Sequence, residues 1–151
     1  RVLFRSHYPM PLPFLMSSED ERNRMVRIDP IARVRAVAAK ADLRLIGIGQ
    51  MDQKAQVHVD GFVTREELLE MMRLGAVGEV TGWAYDAKGR LIKGGTNKRL
   101  TSIPPQIPAV STTIAAAVGV AKVPSIKAAL AGRVINGLIT DEATARAVLD
   151  R

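Results

Sequence analysis

The last third of the chain reads as strand, helix, strand, helix, and no other feature limits the fold as much. Ser111 to Ala117 is an apolar run that turns at Gly119 into a helix expected over Val123 to Ala131, which Gly132 closes. Val134 to Ile139 is a second apolar run, and Thr140-Asp141-Glu142 opens a closing helix whose inner side is expected at Ala143, Ala147 and Val148. Strands alternating with helices in this way argue for an α/β layer built on a parallel sheet.

The preceding segments fit the same plan. Three prolines, Pro9, Pro11 and Pro13, forbid a helix and leave an extended, edge-like segment. Ser18 to Glu21 has the form of a capping box opening a short helix. Asp29-Pro30 places Asp at a helix cap and Pro in the first turn, with Ile31, Val34, Val37 and Ala41 on one stripe as far as Asp42. Leu43 to Ile48 reads as a buried strand closed by Gly47-Ile48-Gly49, and Gln50 to Val63 as a polar loop. Thr64-Arg65-Glu66-Glu67 is a second capping box, heading a helix that carries Leu68, Leu69, Met71 and Met72 and stops at Gly75. Val80 to Tyr85 and Arg90 to Ile92 are expected to pair across Asp86-Ala87-Lys88-Gly89, followed by a loop at Gly94 to Asn97.

Composition narrows the class. The 151 residues are 47% apolar and 25% charged, as in an ordinary globular domain rather than a disordered chain. There is no cysteine, so disulfides and thiolate metal sites are excluded. No apolar run reaches the roughly 18 residues of a membrane-spanning helix, and the cytoplasm is the expected compartment. The net charge of +7 suggests nucleic acid, but the cations are scattered and only 4% of residues are aromatic. Arg22, Arg24, Arg27, Arg33 and Arg35 do cluster, which most simply forms a solvated face. Arg1 to Ser6 translates a common sequencing-adapter tail and is expected to be non-native, leaving residues 7–151 as the C-terminal portion of one domain. Setting Arg1 and Arg5 aside lowers the +7 to about +5.

In an open parallel sheet, ligands bind beside the turns that leave the carboxyl ends of the strands, where helix N-termini present free N–H groups. The turns in question are Gly47-Ile48-Gly49, Gly119-Val120-Ala121-Lys122 and Thr140-Asp141-Glu142. The first lets backbone approach a ligand closely, and the second sets a cation beside a helix start, as a phosphate requires. His7 and His58 have neither a triad signature nor a second His at metal-ligand spacing, so no catalytic residue and no metal site is assigned. Gly47-Ile48-Gly49 lacks the third glycine of a dinucleotide fingerprint, and no cofactor is expected.

Three segments supply a resemblance. Ala41-Asp42 through Gly47-Ile48-Gly49, Gly75-Ala76-Val77-Gly78-Glu79-Val80, and Leu138-Ile139-Thr140-Asp141-Glu142-Ala143-Thr144-Ala145, together with Asn97 and Arg99, resemble the effector-binding domain of SorC-family bacterial sugar-responsive transcriptional regulators. The resemblance runs from about Tyr8 to Leu149. It implies a Rossmann-like, mostly parallel sheet with flanking helices, similar to glucosamine-6-phosphate deaminase and ribose-5-phosphate isomerase and incomplete at the N-terminus. It further implies a non-enzymatic sensor of a phosphorylated sugar or polyol, homo-oligomeric at full length, that meets DNA only through a helix-turn-helix outside this chain. An isomerase or deaminase of sugar phosphates on the same fold is the alternative. On this resemblance the effector would lie near Gly47, Ile48, Gly49, Asp52, Gly78, Glu79, Asn97 and Arg99, with Lys122, Thr140, Asp141, Glu142 and Arg146 completing the edge. Val118 stands where similar proteins usually have a glycine, which sets Lys122 apart from the family pattern.

Overall fold

A computed structural model describes residues 8–150; His7 and the six residues before it, expected to be non-native, lie outside the described residues. Among the described residues there are six α-helices and six strands, alternating singly only from β5 onward. They are α1 (Glu19–Met25), α2 (Asp29–Ala39), β1 (Leu43–Gly47), β2 (Gly49–Gln50), α3 (Gln56–Val59), α4 (Arg65–Arg73), β3 (Ala76–Val80), β4 (Trp83–Asp86), β5 (Thr112–Ala116), α5 (Val123–Ala131), β6 (Gly137–Ile139) and α6 (Glu142–Leu149). The strands form two three-stranded sheets. In the first, β1, β5 and β6 run parallel in that order, with Leu45 opposite Ile114 and Ala116 opposite Ile139. In the second, β3 lies antiparallel between β2 and β4.

The expected parallel layer is present, and the antiparallel sheet beside it is placed differently from the expected hairpin. The tight turn falls at Thr81-Gly82, where both residues have positive φ, so β3 and β4 are the hairpin. The expected pairing across Asp86 to Gly89 shrinks to one bridge, Tyr85 with Leu91. The segment from Val134 is strand only from Gly137; Val134 and Ile135 are buried in the connection before it. Pro9 to Pro13 form no strand; the extended segment is joined to the body around the Leu15–Leu100 bridge, where the Met16 N–H donates to the Arg99 carbonyl at 3.0 Å and the Thr101 hydroxyl to the Pro13 carbonyl at 2.6 Å.

Local chemistry explains the helix ends. Thr64 and Glu67 close a reciprocal capping box on α4, and Ser18 accepts from the Glu21 N–H at the start of α1. In α2 the cap falls one residue earlier, at Ile28, because the Asp29 carboxylate turns forward to Arg33 at 2.7 Å. Of the expected α2 stripe only Ile31 is fully buried, and Val37 faces outward. On α6 the buried anchor is Thr144 rather than the expected Ala143, which is exposed.

Two apolar clusters hold the molecule. One face of the parallel sheet, through Ile46, Ala115 and Leu138, packs with Ile126 and Ala129 of α5 and Val148 of α6. The second cluster, around Met51, Leu68, Met71 and Ala84, joins α4 to the antiparallel sheet. Gly89 and Gly132 pass backbone to backbone, since a Cβ on Gly132 would stand 2.5 Å from the Gly89 Cα. That contact pins the end of α5 to the loop after β4.

Candidate functional site

Because β1, β5 and β6 are parallel and in register, their carboxyl ends meet at one edge. Gly47 pairs with Ala116, and Ala116 with Ile139, so the chain leaves all three strands at the same level. The turns Gly47-Ile48-Gly49, Ala117 to Lys122 and Thr140-Asp141 therefore lie side by side, at the edge where open α/β sheets generally take ligands. Two bonds fasten the last two turns: the Ala117 N–H donates to the Ile139 carbonyl at 3.1 Å, and the Gly119 N–H donates to Thr144 Oγ1 at 2.9 Å.

Glu79 enters this edge from β3, opposite Gly49 in the antiparallel register. The place opposite suits glycine, because a Cβ on residue 49 would collide with the Glu79 carboxylate. Glu79 Oε2 accepts the Gly82 N–H at 2.6 Å. Burial pushes the Glu79 carboxyl above the usual range, against the opposing pull of the Gly82 N–H, the Lys122 charge and the Gly49 backbone. Lys122, half-buried at the end of a 3-10 turn over Val120–Lys122, is thus the cation nearest in effect to this carboxylate. Behind Glu79, the Tyr85 hydroxyl donates to the Ser125 carbonyl at 3.1 Å, and burial, then the Glu79 charge, pushes its phenol well up. Gly78 allows this close packing, because a Cβ there would lie 2.6 Å from the Tyr85 oxygen.

The edge also presents polar groups that are unused by the fold. Thr140 Oγ1 is buried and has no hydrogen-bond partner among the described residues. An unpaired buried hydroxyl is costly, so a polar group arriving at this edge gains from meeting it. Asp141 instead serves its own helix: its carboxylate accepts the Thr144 N–H at 2.7 Å, which holds its pKa below the usual range.

Thus Gly47, Ile48, Gly49, Gly78, Glu79, Lys122, Thr140 and Asp141 gather at the edge, and the remaining expected residues have other engagements. Asn97 is buried and spends its amide on the fold: its Nδ2 donates to the Ala84 and Ile92 carbonyls, and its Oδ1 accepts the Ala84 N–H, each at 2.9 Å. Arg99 donates to the Met16 carbonyl at 2.9 Å and pairs with Glu67. Asp52 caps the Lys54 N–H at 2.7 Å in the loop beyond β2. Glu142 and Arg146 form an exposed i,i+4 pair at 2.5 Å on α6. Tyr85, Ser125 and Thr144, which support the edge, are absent from the sequence-based set; the Asp141-x-x-Thr144 spacing, an N-cap carboxylate three residues before its N–H, is the signal that could have pointed to Thr144.

A groove of about 460 Å³ lies elsewhere, along β1 between α2 and the Ser102–Gln106 loop. Its walls are mainly apolar, and its one cation, Arg44, is tied to Gln106 Oε1 and the Ala39 carbonyl. Such a wall suits protein side chains better than a polyhydroxylated ligand.

Residues 2–150 match the family described as "Putative sugar-binding domain". The chain belongs to this family. The sugar-binding domain is 32% identical over 142 residues to the erythritol catabolism regulatory protein EryD of Brucella abortus, covering 94% of this chain and 45% of that protein. Its fold matches the full-length sorbitol operon regulator SorC of Klebsiella pneumoniae with a TM-score of 0.82 at 26% identity, over 91% of this chain and 45% of that one. It also matches a Vibrio fischeri structure titled "Putative Sugar-Binding Domain of Transcriptional Repressor", with a TM-score of 0.80 at 26% identity, over 93% of this chain and 56% of that chain. The domain spans about half the length of the curated relatives it matches. Among the described residues, no helix is long and apolar enough to cross a membrane, and no group of three or more His, Asp or Glu could hold a metal.

Proposed function

We propose that this domain is the effector-sensing part of a bacterial sugar-responsive transcriptional regulator, acting in the cytoplasm and binding a phosphorylated sugar or polyol without turning it over. Membership of the sugar-binding family over residues 2–150 carries the reading, and the relatives being regulators supports sensing over catalysis. The edge supplies suitable chemistry. Glu79 accepts from sugar hydroxyls, Lys122 offers a cation to phosphate, and the turn glycines admit close backbone approach. Asn97 and Arg99 act behind this surface, since their polar groups are engaged within the fold, while Asp52 holds its own loop and Glu142 and Arg146 pair with each other in the open on α6. Binding shifts a conformational equilibrium that a homo-oligomeric, full-length protein transmits to DNA through a segment other than this one.

Melting the gene-length protein against a panel of sugar and polyol phosphates tests this. A true effector at 100 times its Kd stabilises by about 2.7 kcal/mol. The same compound is recovered unchanged after incubation. Conversion of a sugar phosphate at enzymatic rates replaces the sensor with an isomerase or deaminase, and a panel without any stabilising member removes the effector reading.

A further inference from the structure

The hairpin turn between β3 and β4 contains a residue ill suited to its backbone. Thr81 and Gly82 have φ of 50° and 90°, as a two-residue turn of this hand requires. Glycine takes that conformation freely, whereas a β-branched threonine takes it at a cost. Two bonds hold the turn closed. Glu79 Oε2 accepts the Gly82 N–H at 2.6 Å, and the Ser102 hydroxyl donates to the Thr81 carbonyl at 2.8 Å. The first bond belongs to the same carboxylate that faces Gly49 at the ligand edge. The second comes from Leu100 to Ser102, a segment that ties outlying parts of the fold to the turn. Phe14 and Leu100 pack on Gly82, where a Cβ would stand 2.5 Å and 2.8 Å from their side chains. The Thr101 N–H donates to the Phe14 carbonyl at 3.2 Å. Arg22 of α1 donates to the Leu100 carbonyl at 2.9 Å, and Arg35 of α2 to the Thr101 carbonyl at 2.5 Å.

Given effector binding at the edge, as proposed above, we infer that the Glu79 carboxylate is a latch on this turn. An effector hydroxyl that bonds to Glu79 competes with the Gly82 N–H for the same carboxylate and draws it off. With that bond weakened, the cost of positive φ at Thr81 favours an open turn. Leu100 to Ser102 then pass the change to the Pro13–Met16 segment and to α1 and α2. The two states are a closed and an open turn, and the effector prefers the open one. By reciprocity, a substitution that favours the closed turn weakens effector binding, and one that favours the open turn strengthens it.

Thr81 and Ser102 line the groove along β1 and are not among the residues gathered at the ligand edge, so changing them leaves the effector's own contacts in place. The tests use the gene-length protein. Thr81→Asn, which accepts positive φ more readily, is expected to raise the melting temperature and weaken binding of a stabilising sugar phosphate about fivefold. Ser102→Ala removes a bond that closes the turn, and is expected to lower the melting temperature and tighten binding about fivefold. Hydrogen exchange at the Met16 and Thr101 amides is expected to quicken when the sugar phosphate binds. Parent affinity in both variants, or exchange at these amides that is unchanged or slower on binding, overturns the proposal. A panel without a stabilising sugar phosphate defeats the effector reading alone, and the latch is then decided without ligand. Glu79→Ala is expected to quicken exchange at Met16 and Thr101 about tenfold, and Glu79→Gln, which keeps an acceptor for the Gly82 N–H, to leave it unchanged. Equal rates in those two variants overturn the latch.

Discussion

Glu79 and Asn97 were both read from the sequence as ligand neighbours, and the structure gives them different chemistry. Burial raises the Glu79 carboxyl, so the folded protein keeps this proton to higher pH than the unfolded chain does. Its contribution to stability is therefore fully present below the ordinary carboxylate range and is lost as pH rises through the raised folded value. Glu79→Gln keeps an acceptor for the Gly82 N–H and removes the titration. Relative to the parent, the melting temperature of this variant is expected to climb as pH rises through and above the ordinary carboxylate range. Its affinity for a sugar phosphate is expected to fall about tenfold or more, because a charged acceptor is lost. Asn97→Ala behaves in the opposite way. It removes three hydrogen bonds and leaves the Ala84 N–H and the Ile92 carbonyl without those partners, the Ala84 carbonyl keeping the Ile92 N–H, with an expected cost of about 2–3 kcal/mol in urea unfolding at unchanged m-value. Effector affinity of the folded fraction is expected to stay unchanged. A motif shows that a residue type belongs in a region; whether its amide faces ligand or backbone depends on a strand, β4, thirteen residues away in sequence from Asn97.

Elements with a local signature were legible. The α4 capping box, the Gly132 stop and the run of α5 follow from residues within one turn of each other. The strands were harder, because a short apolar run states burial and not its partner. Ala76 to Val80 carries glycine and glutamate among its apolar residues, so the hairpin was expected one strand too late, at Asp86 to Gly89 rather than at Thr81-Gly82. The α6 stripe was misjudged for a related reason. Thr144 looks like a surface residue, but its hydroxyl reaches across to the turn after β5. Thr144→Val keeps the shape and leaves the Gly119 N–H without an acceptor. It is expected to cost about 1–3 kcal/mol in denaturant unfolding. It is also expected to speed hydrogen exchange over Val118 to Lys122, while α4 exchanges as before.

For the whole molecule, the alternation of strands and helices was enough to specify a parallel layer whose strand ends share one edge, since that edge is a consequence of topology. That one face of this layer is bare, with Leu43, Leu45 and Ile139 exposed, was not visible in the pattern, because a strand buried on two faces and one buried on a single face can have the same sequence. This chain on its own is expected to self-associate and to bind an apolar dye, both reduced by Leu45→Asp with Ile139→Asp; a cooperative, monomeric, dye-free melt of residues 7–151 would count against the exposed face. The central claim concerns where the effector sits. A hydrogen-exchange footprint of the gene-length protein, with and without a sugar phosphate that raises its melting temperature, addresses that most directly. Protection is expected at Gly47 to Gly49, around Glu79, at Val118 to Lys122 and at Thr140 to Thr144. Protection confined to the groove between α2 and β1, with those turns unchanged, would contradict the account.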